Sequence, residues 1–324
     1  MRMIAARMTA AQMTAAIVPL PALALSVTAA HAQFGELNPL IQAQNIEQIA
    51  EHTWEIPDNG APLVPNVGIV VGSHATLIID TGMGEQNGAI IADAARELSD
   101  NERFWLTATH YHPEHDLGVA GFPDDALLVR WADQQAESDA IGVNTIELFS
   151  GFSPVVAEML DGIEYTPADI VFPDELTLDL GGVHVRIIGV GPNHTIGDTV
   201  FFVEEDGVLF TGDVVMPVFP AASANDGDLA KWIDNMNAFE ALEPRIVVPA
   251  HGPLLDIDGI ALYRDYLLAV GEAATTLASR RATEDADVTE AAEDIAAQFP
   301  ALQPNGGPPA TGRIVAALRM ALRQ

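Results

Sequence analysis

Residues 109–116 read T-H-Y-H-P-E-H-D, which places three of the chain's nine histidines and two carboxylates within eight positions. His110 and His112 are two apart, so in an extended segment both side chains face one way, and Glu114 and His115 then fold toward a neighbouring point. Directly upstream, Phe104 to Thr109 reads as a buried strand. The cluster therefore begins where a strand gives way to a loop, the place where open α/β sheets hold ligands.

Three more potential ligand positions follow hydrophobic, strand-like runs: His194 in G-P-N-H-T-I-G-D-T, Asp213 in L-F-T-G-D-V and His251 in V-V-P-A-H-G. Strand ends on one side of an α/β sheet converge, so these distant residues can gather about one point. Imidazoles and carboxylates brought together away from water would repel or stay unpaired, whereas a divalent cation satisfies all of them. Seven donors (His110, His112, Glu114, His115, His194, Asp213 and His251) are too many for one zinc ion. They suit a pair of ions with Asp213 between them, zinc being favoured by this donor set and manganese or iron being compatible with it.

Composition narrows the alternatives. The 324 residues are 49% hydrophobic, enough for a large core, and 46 acidic against 14 basic residues leave a formal charge of −32. Such a surface repels nucleic-acid phosphates and anionic lipid headgroups, so neither is an expected partner. Lys231 is the single lysine, and an anionic substrate would have to be met by one of thirteen arginines, a metal or backbone N–H groups. Cysteine is absent, which excludes disulfides, thiolate nucleophiles and cysteine-held metals. At the N-terminus, Arg2 and Arg7 precede an alanine-rich apolar run that Pro19 and Pro21 interrupt, and Ala30-His31-Ala32 has the small-x-small form of a cleavage site. Residues 1–32 are thus expected to be a secretory signal peptide, leaving a periplasmic or secreted protein without a membrane span.

The remaining chain, 33–324, is expected to form one domain with its core at about 45–255. Strands are expected at 46–56, 67–72 and 76–80, then 104–109, and again at 169–172, 176–180, 183–190, 199–204 and 207–211. Helical spacing runs from Gly84 to Leu98 and from Asp228 to Leu242, the latter capped by Asp226 or Asp228. The weaker pattern over 131–166, with amphipathic pieces at 133–141 and 153–162 and exposed-looking Phe149, Phe152 and Met159, reads as a helical insertion. Helices at about 257–282, 285–297 and 311–323 close the chain. The order suggests two similar halves packed face to face with helices outside.

The set T-H-Y-H-P-E-H, G-P-N-H-T-I-G, T-G-D-V and P-A-H-G, with I-D-T-G at 79–82, resembles the metallo-β-lactamase superfamily in both content and order. That resemblance implies an αββα four-layer sandwich. It implies that His110, His112 and His194 hold one zinc, that Glu114, His115 and His251 hold a second, and that Asp213 bridges them. Asp80 would orient a ligand. Glu114 departs from the family's usual aspartate by one methylene, and Asp116 is the alternative carboxylate beside it. The implied reaction is hydrolysis of an ester, thioester, lactone or amide bond in a small-molecule substrate by a zinc-bound hydroxide formed as the metal lowers the pKa of water toward ~7, with Glu114 and Asp213 orienting the nucleophile and relaying protons. A class B β-lactamase is the alternative, against which stand the aspartate of T-G-D and Met216, where one lactamase subclass carries lysine. A metal-binding protein with little turnover is a second. Arg264, Arg280 and Arg281 are the candidate holders of an anionic group. Among the other polar residues, His184 is expected to face solvent, Asp198 to stabilise its loop, Tyr111 to pack, and His52 to stand beside Trp54 on an early strand, lining the site being its alternative.

Overall fold

A computed structural model describes residues 37–217, 227–302 and 311–324, so the expected leader at 1–32 lies outside the described residues. Strands β1 (Glu47–Gln48), β2 (Thr53–Ile56), β3 (Val67–Val71), β4 (Thr76–Ile79), β5 (Phe104–Thr107), β6 (Leu127–Trp131) and β7 (Ile170–Phe172) form one sheet in that spatial order. Its first four strands pair antiparallel and its last three join in parallel. A second sheet runs β12-β11-β10-β9-β8, built from β8 (Glu175–Asp179), β9 (His184–Gly189), β10 (Thr199–Val203), β11 (Val208–Gly212) and β12 (Ile246–Pro249). Only β11 and β12 are parallel there.

The alternation of side chains along each strand divides the core into layers. Val70, Leu77, Ile79 and Trp131 of the first sheet meet Val185, Ile187, Phe201 and Phe210 of the second between the two sheets. Their neighbours Ile69, Ile78, Leu106 and Leu128 face the opposite way, onto Ile91, Ala92 and Ala95 of helix α1 (Gly84–Leu98). On the outer side of the second sheet, Val200, Leu209 and Val247 pack against Trp232 and Met236 of α5 (Leu229–Ala241) and Tyr263 and Leu267 of α6 (Ile257–Arg280). Two further helices, α7 (Asp285–Gln298) and α8 (Thr311–Ala321), join that outer layer. The expected αββα sandwich is therefore the observed one.

Local departures have local causes. The single strand expected over 46–56 is a hairpin of β1 and β2, because Asp206 of the other sheet takes the His52 N–H at 2.8 Å and the Thr53 hydroxyl at 2.6 Å and bends the chain there. The insertion contains α3 (Ala132–Ser150) and α4 (Pro154–Met159). Its 19-residue helix was underread because its apolar positions form no clean stripe. Phe149 is buried rather than exposed, and Phe152 and Met159 are half-buried, since all three join a small apolar cluster with Leu37, Met83, Val156 and Leu160. Of the two candidate caps, Asp228 accepts the Lys231 N–H at 2.9 Å, while Asp226 lies outside the described residues.

The two sheets touch where their strands end. The Thr199 N–H donates to the Thr109 carbonyl at 2.8 Å, and Gly212, which closes β11 in the left-handed region at φ +56°, lies against the Thr109 side chain. A β-carbon at 212 would stand 2.6 Å from Thr109 Cβ, so both the backbone conformation and the space demand glycine. Replacing Gly212 with alanine is expected to lower the unfolding free energy by about 2–4 kcal/mol, the sum of a left-handed-backbone cost and an overpacking cost. Urea unfolding measures this, and a loss within about 0.5 kcal/mol would contradict the assigned contact.

Candidate metal centre

Thr109 ends the run from β5, and the next residues turn into α2 (Pro113–Asp116), a single turn with His112 before it and Pro113 at its first position. Proline suits that position because the first helical N–H groups have no intrahelical partner. The turn brings Glu114 and His115 back over His110. From the second sheet, the loop after β9 carries His194, the end of β11 carries Asp213, and the end of β12 carries His251.

All seven residues meet. His112 Nδ1 lies 2.9 Å from His110 Nε2 and 3.2 Å from His194 Nε2, three ring nitrogens converging on one spot. Asp213 reaches His194 Nε2 with one oxygen at 3.4 Å and His251 Nε2 with the other at 3.7 Å, and Glu114 Oε1 is 4.0 Å from His115 Nε2. Ligand-capable atoms of His110, His112 and His194, of His110, His115 and Asp213, and of Glu114, His115 and His251 each lie within 4.8 Å of one another. The structure thus brings the sequence-selected residues into two adjoining groups with Asp213 reaching toward both.

Neighbouring groups decide which ring nitrogen each histidine presents. Asp80 Oδ2 takes His115 Nδ1 at 2.8 Å, the Thr109 hydroxyl lies 3.2 Å from His110 Nδ1, and the Val64 carbonyl takes His251 Nδ1 at 3.0 Å. Each contact engages Nδ1 and turns Nε2 toward the cluster. Asp80 is itself in the left-handed region at φ +67° and accepts the Thr109 N–H at 2.6 Å, a strained residue of the kind that structures retain at functional sites. His194 is set by Asp198, which accepts the His194 N–H at 2.7 Å and the Thr195 hydroxyl at 2.6 Å.

Burial, then the neighbouring imidazoles His115 and His194 respectively, push His110 and His112 well below the usual histidine range, so both rings are neutral donors of a lone pair. Burial also raises the Glu114 carboxyl. For Asp213 burial is outweighed by His251 and the other imidazoles, which bring it to about 2. Three atoms of the cluster remain buried without a hydrogen-bond partner: Glu114 Oε2, His115 Nε2 and Asp213 Oδ1. Unpaired polar atoms in a dry place carry a large desolvation cost, and a divalent cation among them would remove it. The donor set fits such an ion.

The metallo-beta-lactamase superfamily model matches residues 60–251, more than half of the chain. The chain belongs to that superfamily. Among curated proteins, it is 23% identical over 220 residues to the atrochrysone carboxyl ACP thioesterase of Emericella nidulans, covering 68% of this chain and 62% of that one. It is 26% identical over 183 residues to an acyl-coenzyme A thioesterase of Bos taurus, 52% of this chain and 61% of that one. A linear primary-alkylsulfatase of Pseudomonas sp. is 24% identical over 216 residues, 57% and 40% of the two chains. The matched part thus spans roughly three-fifths of the first two relatives' length. Among solved structures, the sec-alkylsulfatase Pisa1 of Pseudomonas sp. superposes with a TM-score of 0.63 at 14% identity, over 86% of this chain and 49% of that one. A metallo-beta-lactamase from Pontibacter korlensis gives 0.53 at 19% identity, over 69% and 98%.

Within this superfamily fold the structure sorts the alternatives that the sequence left open. Asp116 is no substitute for Glu114: it is fully buried in an ion pair with Arg130 at 2.5 Å, and Arg130 also donates to the Thr166 carbonyl at 2.7 Å. His52 does not line the site, since its ring pairs with Asp206 at 3.1 Å in the turn between β10 and β11. His184 faces solvent, as expected, and pairs there with Glu205 at 2.6 Å. Arg264 pairs with Glu240, and Arg280 lines a groove between α6 and α7 that contains none of the seven residues. Sequence reading overlooked Asn66, whose amide donates to the Pro249 and Gly252 carbonyls at 2.8 Å, and Asp58, which accepts the Gly252 N–H at 2.9 Å. Together they clamp the His251 turn. Glu137 of the insertion was overlooked too, though it accepts the Ile196 and Gly197 N–H groups at 3.1 and 2.7 Å and so holds the His194 loop. The D-N-G run at 58–60 was the one turn signal available.

Arg130→Met is expected to cost about 3–5 kcal/mol, because Asp116 is then left buried without its partner. The double replacement Arg130→Met with Asp116→Leu should recover part of that loss in denaturant unfolding. Equal losses for the single and double variants would show that the pair does not hold the turn.

Proposed function

We propose that this chain is an exported metal-dependent hydrolase acting on an ester, thioester, lactone or amide bond of a small molecule. The observation that carries the reading is the convergence of seven donors from both sheets, three of them with buried polar atoms that have no protein hydrogen-bond partner and that an ion would satisfy. His110, His112 and His194 would hold one divalent ion, and Glu114, His115 and His251 a second, with Asp213 between them. Zinc is the first candidate for imidazole and carboxylate donors, with manganese or iron as the other options. Bound there, such ions supply Lewis-acid chemistry, which makes water nucleophilic at neutral pH and stabilises negative charge on the substrate.

The residues do the remaining work. Asp80, Thr109 and Val64 hold His115, His110 and His251 in the tautomers that turn Nε2 inward. Asp213, kept ionised near neutral pH, orients the attacking water, and Glu114 Oε2 is positioned to accept its proton and return it to the leaving group. The chain needs neither a serine nor a cysteine nucleophile. The thioesterase and alkylsulfatase names among its relatives support a hydrolase, and the Ala30-His31-Ala32 pattern supports export. A β-lactamase is the weaker reading, because Met216 is buried and offers no cation for a drug carboxylate.

Metal analysis of the mature protein, together with a panel of p-nitrophenyl esters, thioesters, lactones and a chromogenic cephalosporin, tests the proposal. Two divalent ions per chain and hydrolysis lost with a chelator are expected. His112→Ala should cut kcat/KM at least about 100-fold, whereas Glu114→Asp should keep or raise it. A His112→Ala variant working at full rate would refute the assigned site, and one ion with no turnover would favour a metal-binding protein.

A further inference from the structure

We propose that the substrate of this site carries an uncharged hydrocarbon chain, which lies along an apolar wall formed by Phe149, Phe152, Met159 and Leu63. The inference rests on the hydrolase reading above and names its substrate class.

The first ground is where the centre opens. Of the seven gathered residues only His112 and His251 are half-buried, while His110, Glu114, His115, His194 and Asp213 are buried. A substrate must therefore approach on the side of these two rings. Beside His112 stands the Phe149 ring, with centroids 5.7 Å apart, and Phe152 lies 4.9 Å beyond Phe149. Beside His251 is the Val64 carbonyl, and the preceding residue, Leu63, packs into the same apolar cluster as Phe149, Phe152 and Met159. One cluster thus runs from the His112 edge of the opening to the His251 edge. Phe149 is its buried base, and Phe152, Met159 and Leu63 are half-buried and reachable. The ligand loops continue the same character, since Ile196 and Leu254 are each 36% exposed just beyond His194 and His251.

The second ground is charge. The polar contacts made by the side chains of His110, His112, Glu114, His115 and Asp213 are to one another and to His194, His251, Asp80 and Thr109, none of them a lysine or arginine. Arg130 is committed to Asp116, and Lys231 to the Gly191 carbonyl. Neither of the internal segments 218–226 and 303–310 contains a lysine or arginine. None of the wall's own residues is basic, so a chain ending in a carboxylate gains no ion pair from them, and the overall charge of −32 opposes its approach. A hydrocarbon chain meets neither penalty, and each methylene it buries is worth roughly fourfold in binding.

The test compares p-nitrophenyl octanoate, p-nitrophenyl butyrate and the mono-p-nitrophenyl ester of suberic acid, which has the octanoate length with a terminal carboxylate. Titration calorimetry of octanamide and butanamide against the protein as isolated gives a readout independent of turnover. The octanoate ester should exceed both other esters in kcat/KM at least ~10-fold, and octanamide should bind at least ~10-fold tighter than butanamide. Phe152→Ala, and Phe149→Leu as the gentler change at the buried ring, should each narrow the octanoate-to-butyrate ratio by raising KM for the longer ester. Equal rates for the three esters, or a preference for the anionic one, would overturn the proposal. If no ester turns over, the hydrolase reading fails by itself. The amides then decide: octanamide selectivity that Phe152→Ala weakens sustains the apolar wall, and its absence removes it.

Discussion

Thr109 and Gly212 meet at the point where strands of both sheets end, and the chemistry depends on that approach. Without a side chain at 212, the turn carrying Asp213 can settle against the loop carrying His110. The contact is tight enough that the Thr199 N–H reaches the Thr109 carbonyl across the two sheets. Imidazoles and carboxylates from distant segments are thereby pressed into a buried place, where ionised and unpaired groups are expensive. That cost is borne by the rest of the fold. It also explains why the rings of His110 and His112 are neutral and hence able to donate lone pairs.

Around the seven inner residues lies a shell drawn partly from the same motifs and partly from parts of the chain with none. Asp80 fixes His115, Asp198 fixes the backbone of His194, and Asp58 with Asn66 ties down the turn of His251. The insertion takes part as well. Glu137 grips the His194 loop, Arg130 anchors Asp116 beneath the His112 turn, and the aromatic residues between 149 and 152 stand beside the opening. A segment of weak sequence pattern therefore both braces the centre and supplies its proposed apolar wall.

Much of the fold was legible because its signals are local. Alternating apolar strands with glycine turns gave most of both sheets; β6 was not anticipated, and the break between 46 and 56 escaped because Asp206, distant in sequence, bends the chain there. Helix α3 was underestimated for a related reason: its buried face includes Gln134, Glu137 and Ser138, polar residues whose burial depends on partners elsewhere. Phe149 read as exposed because nothing nearby in sequence announces Leu37 or Met83, which cover it.

The sequence by itself determined the chemical types of the centre and their order, since four short runs end in His, Glu or Asp after hydrophobic strands, and such runs end at the same side of a sheet. It also settled the charge that discourages anionic partners. Tertiary structure alone decided which carboxylate turns inward, because Glu114 and Asp116 differ only in what surrounds them: Arg130, fourteen residues later in the chain, draws Asp116 away. It likewise decided which nitrogen each histidine presents and which residues border the opening. These depend on hydrogen bonds and contacts between residues far apart in the chain, and no local pattern encodes such distances.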